Sequence, residues 1–321
     1  MLEPCAQQLQ KQYLEVTGPN IATILNSYAR LGECNPELFR MLSRSVVQTR
    51  PESFEPYHLS LIMNAMARCN IRKSQTLHLI ASYLHGRIHL LGPQNVANVI
   101  HACAKLNCYD HTLFASLHER LISEDLSAYK MQELANVVHG LAKLKSGGPK
   151  LYNALFAECL RRKTWDPRSV AQVLDAMRRQ QKYVDEPLIL LFMRIFLARL
   201  GDYSVHQLTQ ATWCLVELDA LDLATKMPSD LLPTTGAGET PAMCVVRLAL
   251  ERMEELTALT PLTPTQRLYV QQLVRAYHYK HELDYGLQPH HVRSFCRNVF
   301  DVPISVTASV ARSPKRRGNR L

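Results

Sequence analysis

The chain has 321 residues, 47% of them hydrophobic, and no apolar run approaches the roughly 18 residues a membrane-spanning helix needs, which excludes helical membrane insertion and points to a soluble protein. Lys and Arg exceed Asp and Glu by 9, but Arg312, Lys315, Arg316, Arg317 and Arg320 supply five of that excess, so the body is only mildly basic and its charge alone does not select a partner. Nine cysteines occur without a CxxC pair, and Cys69, Cys103, Cys159 and Cys214 fall inside helical patterns, which argues for reduced, buried thiols over disulfides or structural zinc.

Residues 1–16 carry Leu2, Cys5, Leu9 and Tyr13 at helical intervals and read as an N-terminal capping half-repeat. Glu3 and Glu15, in a segment with one lysine and no arginine, speak against an Arg-rich organellar leader here. From Ile21 a single pattern then recurs: IATILNSYARL, LSLIMNAMARC from Leu59, VANVIHACAKL from Val96, LANVVHGLAKL from Leu134, VAQVLDAMRRQ from Val170 and LTQATWCLVEL from Leu208. Start-to-start distances are 38, 37, 38, 36 and 38. Apolar residues at helical spacing, with small residues between them, mark an amphipathic helix, termed A. Each A helix ends near a residue suited to left-handed backbone, Gly32, Asn70 or Asn107. A second helix, B, then opens on a cap acceptor or a first-turn proline at Asn35-Pro36, Ser74, Asp110, Pro149 or Asp185-Glu186-Pro187. Its first core positions are Leu38, Leu77, Leu113, Leu151 and Leu188. Ser204 and Gln207 have capping-box spacing at the head of the sixth A helix.

The period predicts an all-α chain: an α-solenoid of about seven antiparallel helix-pair repeats, each burying its face on its neighbours. Repeats one to six span residues 17–224. An inserted loop follows at 225–241, rich in Pro, Gly and Thr and without a periodic face. C-terminal helical repeats cover 242–301, with helices over about Met243 to Leu256, from Val270 as a seventh A helix, and near His290 to Phe300. A basic tail, 302–321, is expected to be disordered without a partner.

Counting the first residue of each A motif as zero, offsets 2, 5 and 9 lie within about 60° of one another at 3.6 residues per turn. They form a polar stripe between apolar flanks. Offset 2 reads Thr23, Leu61, Asn98, Asn136, Gln172, Gln210; offset 5 reads Asn26, Asn64, His101, His139, Asp175, Trp213; offset 9 reads Arg30, Arg68, Lys105, Lys143, Arg179, Glu217. Amides can read base edges, His and Trp can stack on bases, and Arg or Lys can neutralise phosphate, so once-per-repeat placement would form a ladder for single-stranded RNA. Against this stand the bland alternatives: a solenoid helix needs some solvated face, which can equally bind protein, and Leu61, Asp175 and Glu217 interrupt the track. Lys315, Arg316 and Arg317 are further candidate RNA contacts, or a solvated terminus. His278, His281, His290 and His291 lack a cysteine partner at zinc spacing and read as surface histidines. No nucleophile elbow or glycine-rich phosphate loop occurs, so no catalytic site and no cofactor are expected.

The fourth-repeat residues Leu134, Ala135, Asn136, Ala142, Lys143 and Leu144, the third-repeat residues Ala97, Asn98, Ala104, Lys105 and Leu106, and Trp213 in the aromatic place resemble the heptatricopeptide and octotricopeptide repeats of organellar RNA-binding proteins, relatives of those in FAST-kinase-like proteins. The resemblance covers about residues 20–224 well and 268–300 loosely. It implies a mitochondrial protein, with the plastid as the alternative, that binds RNA within a large assembly of other proteins. Ribosomal RNA in a divergent mitochondrial ribosome is the leading expectation. Many relatives end in a strand-rich nuclease-like domain, for which the segment after Phe300 is too short, so a non-enzymatic role is expected. The rival expectation is a protein-binding scaffold or accessory subunit of a mitochondrial complex.

Overall fold

A computed structural model describes residues 17–49, 53–233, 239–259 and 261–281 of the chain. The described residues are all helical and contain no strand. In chain order the helices are α1 (Gly18–Arg30), α2 (Pro36–Gln48), α3 (Pro56–Arg68), α4 (Ser74–His85), α5 (Pro93–Leu106), α6 (His111–Ser123), α7 (Met131–Lys143), α8 (Pro149–Arg161), α9 (Pro167–Arg179), α10 (Glu186–Ala198), α11 (Val205–Glu217), α12 (Pro241–Leu259) and α13 (Pro264–His281). Odd-numbered helices are the A helices and even-numbered ones the B helices. The half-repeat, the helix near His290 to Phe300 and the basic tail lie outside the described residues.

Local chemistry sets the boundaries. Asn35 accepts from the backbone N–H of Glu37 and Leu38, Asp110 from Leu113, Asp166 from Ser169 and Asp185 from Leu188. Ser204 and Gln207 close the expected reciprocal box, at 3.4 and 2.8 Å. At the A-helix ends, Gly32, Asn70, Asn107, Lys145 and Asp219 take positive φ. The N–H of the next residue then reaches back five positions, from Glu33 to Tyr28, Ile71 to Met66, Cys108 to Cys103, Ser146 to Leu141 and Ala220 to Leu215, all at 2.8–3.0 Å. This is the Schellman closure, which satisfies carbonyls a helix end leaves free. Of the A helices α1 to α11, α9 lacks it and ends on Gln180, whose N–H bonds to Ala176 and Met177.

Each A helix packs on the next, α1 through α13, and α2 through α10 form a second layer. The A helices approach one another more closely than the B helices do. Small residues permit that approach: a Cβ on Gly140 would stand 2.7 Å from Ile100 Cγ2 and 3.2 Å from the Ile100 carbonyl oxygen. Two devices lock successive repeats. Five residues before each A motif, Phe54, Leu91, Tyr129, Trp165 and Tyr203 plug the repeat boundary with at most 3% exposure. Toward the end of a B helix, an arginine reaches back to the preceding boundary: Arg120 to the Ile88 carbonyl, Arg162 to Leu126 and Arg199 to Trp165. The acids Glu124, Glu158 and Asp202 pair with these three guanidiniums.

The 225–241 stretch contains a 3-10 turn at Ser229–Leu231, and Leu232 is in the core; the 3-10 turn at Leu221–Lys226 that leads into it buries Leu221 and Ala224. The Leu221–Lys226 turn packs between α10 and α12. Arg247 of α12, 4% exposed, binds Glu239, Glu251 and the Pro233 carbonyl, tying Pro233 and Glu239 of the insertion to the helix. One expectation needs correction: Cys69 is not a reduced thiol but is bonded to Cys34, with Cα atoms 5.2 Å apart. Both cysteines occupy the A-to-B turns of adjacent repeats, and stacking sets one turn on the other. The buried Cys103, Cys159 and Cys214 are free thiols, as expected.

Candidate nucleic-acid interface

On α5, every residue from Val96 to Leu106 is buried except Asn98, His101 and Lys105; on α7, every residue from Leu134 to Lys143 is buried except Asn136, His139 and Lys143. These are the stripe positions, so the helical angle that selects them in the sequence is the angle that reaches solvent. Register holds across helices as well. The Gln172 side-chain amide donates to Asn136 Oδ1 at 3.1 Å, joining two offset-2 residues, and His139 Nε2 lies 3.1 Å from Asp175, joining two offset-5 residues.

Offset 9 is a row of cations. Arg30, Arg68, Lys105, Lys143 and Arg179 are exposed, and Arg30, Lys105 and Lys143 form no ion pair among the described residues. Partial burial, followed by repulsion from Arg179, Lys105 and Arg72, draws the Lys143 ammonium below the ordinary lysine range. Beside the row, burial pushes His101 down to about 4, and the charges of His139, Lys105, Arg168 and Lys143 add to the effect. His101 is therefore neutral near pH 7 and offers both a donor and an acceptor nitrogen.

At the fifth repeat the stripe turns inward. Asp175, 3% exposed, accepts from His139, from Arg178 at 2.7 Å and from Arg179 at 2.6 Å. Burial opposes its ionisation, but these three partners overcome that and hold the carboxyl well below the usual carboxylate range. Gln172 is 8% exposed. The Arg178 guanidinium lies 4.3 Å from the Trp213 ring centroid, covering one face of the half-buried indole. Asn26, Asn64 and Gln210 are half-buried on the stripe, whereas Lys315, Arg316 and Arg317 lie outside the described residues.

The stripe also has a fourth row, at offset −2, which shares the same helical angle one turn earlier: Tyr57, Gln94, Gln132, Arg168 and His206, all exposed. Starting the motif at its first apolar residue hid them. Extending the 3.6-residue count backward would have found them. Among the described residues, no group of acidic, His or Cys side chains could hold a metal ion, and no helix is long and apolar enough to cross a membrane.

Comparison with known proteins gives one family. Residues 11–149 match the family model described as RNA-editing substrate-binding complex 6 protein. The match covers less than half of the chain and includes the first three full repeats and helix α7. Comparison with curated proteins gives no match.

Proposed function

We propose that this chain is a non-enzymatic, mitochondrial RNA-binding solenoid that holds single-stranded RNA along its A-helix groove, inside an assembly handling RNA that undergoes editing. The observation that carries the proposal is the row of exposed cations on successive A helices, aligned with rows of amides and imidazoles; partial burial, and then repulsion from Arg179, Lys105 and Arg72, lowers the Lys143 pKa. Such a row destabilises itself until a polyanion arrives. Of those cations Arg30, Arg68, Lys105 and Lys143 fall within the matched segment. The ribosomal version of this reading rests on the repeat resemblance alone. The matched family's description names an RNA-editing substrate-binding complex, and the proposal follows it. The non-enzymatic part rests on the sequence, which carries no nucleophile elbow or phosphate loop; the pKa values of the Cys103, Cys159 and Cys214 thiols are pushed far up by burial, so none of these three is a reactive thiolate.

Replacing Arg30, Arg68, Lys105 and Lys143 together with Glu tests the groove. Single-strand binding loses about 0.7 of log–log salt slope per phosphate contact, so the quadruple variant should lose about 3 and bind far more weakly at low salt. Unchanged affinity and slope, in a variant with wild-type circular dichroism, would refute the groove. A scaffold reading draws on the Asp175 cluster, which neutralises the track at the fifth repeat. It requires that affinity-purified partners stay bound after nuclease treatment, whereas the RNA reading requires their release.

A further inference from the structure

Where the open stripe ends lies a cavity of about 160 Å³ between α9, α11 and α13, with His139 of α7 also at its lining. Asp175, already saturated by three donors, forms its floor with Arg179. Trp213, His206 and Tyr269 contribute rings, the last two with centroids 5.7 Å apart, and Gln210 and Gln272 contribute amides. Drug-sized ligands occupy cavities of about 300 Å³ or more, so this one suits a single planar ring system. Its lining joins flat aromatic surfaces to side chains that both donate and accept, on a floor whose negative charge is outweighed by Arg178 and Arg179. The Arg178 guanidinium backs the Trp213 indole and holds that ring in place. The cavity also continues the stripe, since His206, Gln210, Trp213 and Arg179 are its offset −2, 2, 5 and 9 residues, and Tyr269 and Gln272 of α13 line its other side.

We infer that this cavity takes one unstacked nucleobase of the bound RNA, held against Trp213 and Tyr269, and so anchors the strand at the C-terminal end of the groove. The inference rests on the RNA reading above, and the test separates the two. Trp213 is one of two tryptophans, and the other, Trp165, is 1% exposed, so quenching of tryptophan emission reports on the cavity. The probes are a ten-nucleotide oligouridine, a ten-nucleotide oligoadenosine, the four nucleoside monophosphates, and ribose 5-phosphate, which has no base. Expected results are quenching by oligonucleotides and by at least one monophosphate but not by ribose 5-phosphate. Tyr269→Ala should weaken oligonucleotide binding by about 5- to 150-fold, the range for loss of one base–aromatic stack, and Tyr269→Phe should restore it. Oligonucleotide binding by anisotropy with unchanged tryptophan emission, and no effect of Tyr269→Ala, would overturn the cavity assignment and leave the groove intact. Equal quenching by ribose 5-phosphate would overturn it too, because phosphate rather than base would then be the ligand. Absence of RNA binding by any readout would overturn both.

Discussion

Gly140 is the most stringent test of the stacking on which the groove depends. Replacing an exposed helical glycine with alanine stabilises by about 1 kcal/mol, because the unfolded chain loses freedom. At Gly140 the new Cβ would stand 2.7 Å from Ile100 Cγ2 and 3.2 Å from the Ile100 carbonyl oxygen. The methyl can swing aside, but the carbonyl belongs to the backbone of α5, so α5 and α7 must part. Overpacking of this kind costs about 1–3 kcal/mol, which leaves Gly140→Ala destabilising by up to about 2 kcal/mol after the propensity gain. Gly86 provides the control: a Cβ there meets nothing within 4 Å, and φ of −77° suits alanine, so Gly86→Ala should be neutral or stabilising. Urea unfolding of the two variants, with hydrogen exchange on α5 and α7 to localise the loss, measures the difference. Parting these helices also separates His101 from His139 and Lys105 from Lys143, so Gly140→Ala should bind RNA more weakly as well. A Gly140→Ala protein as stable as Gly86→Ala would refute the close approach of the A helices, and with it the alignment of the stripe.

Three further outcomes follow from the same geometry. Closing a loop across 35 residues between Cys34 and Cys69 should stabilise by about 4 kcal/mol; Cys69→Ser should lose that under oxidising conditions and nothing under reductant, and alkylation without reductant should leave both cysteines unmodified. Asp175→Asn weakens charge-assisted hydrogen bonds to two arginines that still reach solvent and should cost about 1–3 kcal/mol; since the folded carboxyl sits below its unfolded value, that stability is present above about pH 4 and lost only as pH falls further, so coincident unfolding of wild type and variant at pH 7 would contradict the cluster. His101, at about 4 when folded against an ordinary 6.5, contributes stability that is complete above 6.5 and is lost as pH falls toward 4; NMR titration of its ring should give the low value, and RNA phosphate nearby should raise it, so that affinity grows as pH falls from 7 to 5.

The repeat and its helix boundaries were legible because their causes are local. Asn35, Asp110, Asp185 and the box at Ser204 act within three residues, and Gly32, Asn70 and Asn107 announce left-handed turns by residue type. Lys145 and Asp219 adopt the same backbone without announcing it, because the Schellman bonds and the stacked repeat enforce what the side chain does not suggest. The boundary plugs escaped notice for another reason: Phe54, Leu91, Tyr129, Trp165 and Tyr203 share a position and a burial but not a residue type. The Cys34–Cys69 pair was misread because Cys69 looks like the last core residue of a helix, whereas its neighbour is set by the adjacent turn. Of the candidate site, the exposed angle of α5 and α7 was legible, but the offset −2 row, the inward turn at Gln172 and Asp175 and the pairing of the members were not. That Asp175 would draw in His139, Arg178 and Arg179 depends on distances between helices that one period cannot encode.

These features divide the labour along the molecule. Plugs, arginine staples and small residues hold the repeats together from positions off the stripe, so the stripe is free to vary from helix to helix without loss of the stack. The first four repeats use that freedom for exposed cations, which on the RNA reading fix the strand through its phosphates. The fifth closes its own charges around Asp175, and with α11 and α13 it walls off a space for a ring. Phosphate contacts position a strand and base contacts distinguish it, so the two ends of the groove should separate experimentally. The quadruple charge variant should change the salt slope while Trp213 quenching at saturation persists, and Tyr269→Ala should weaken binding by a factor that does not depend on salt. Loss of both properties in either variant would mean that strand and base are held by one continuous surface rather than by two.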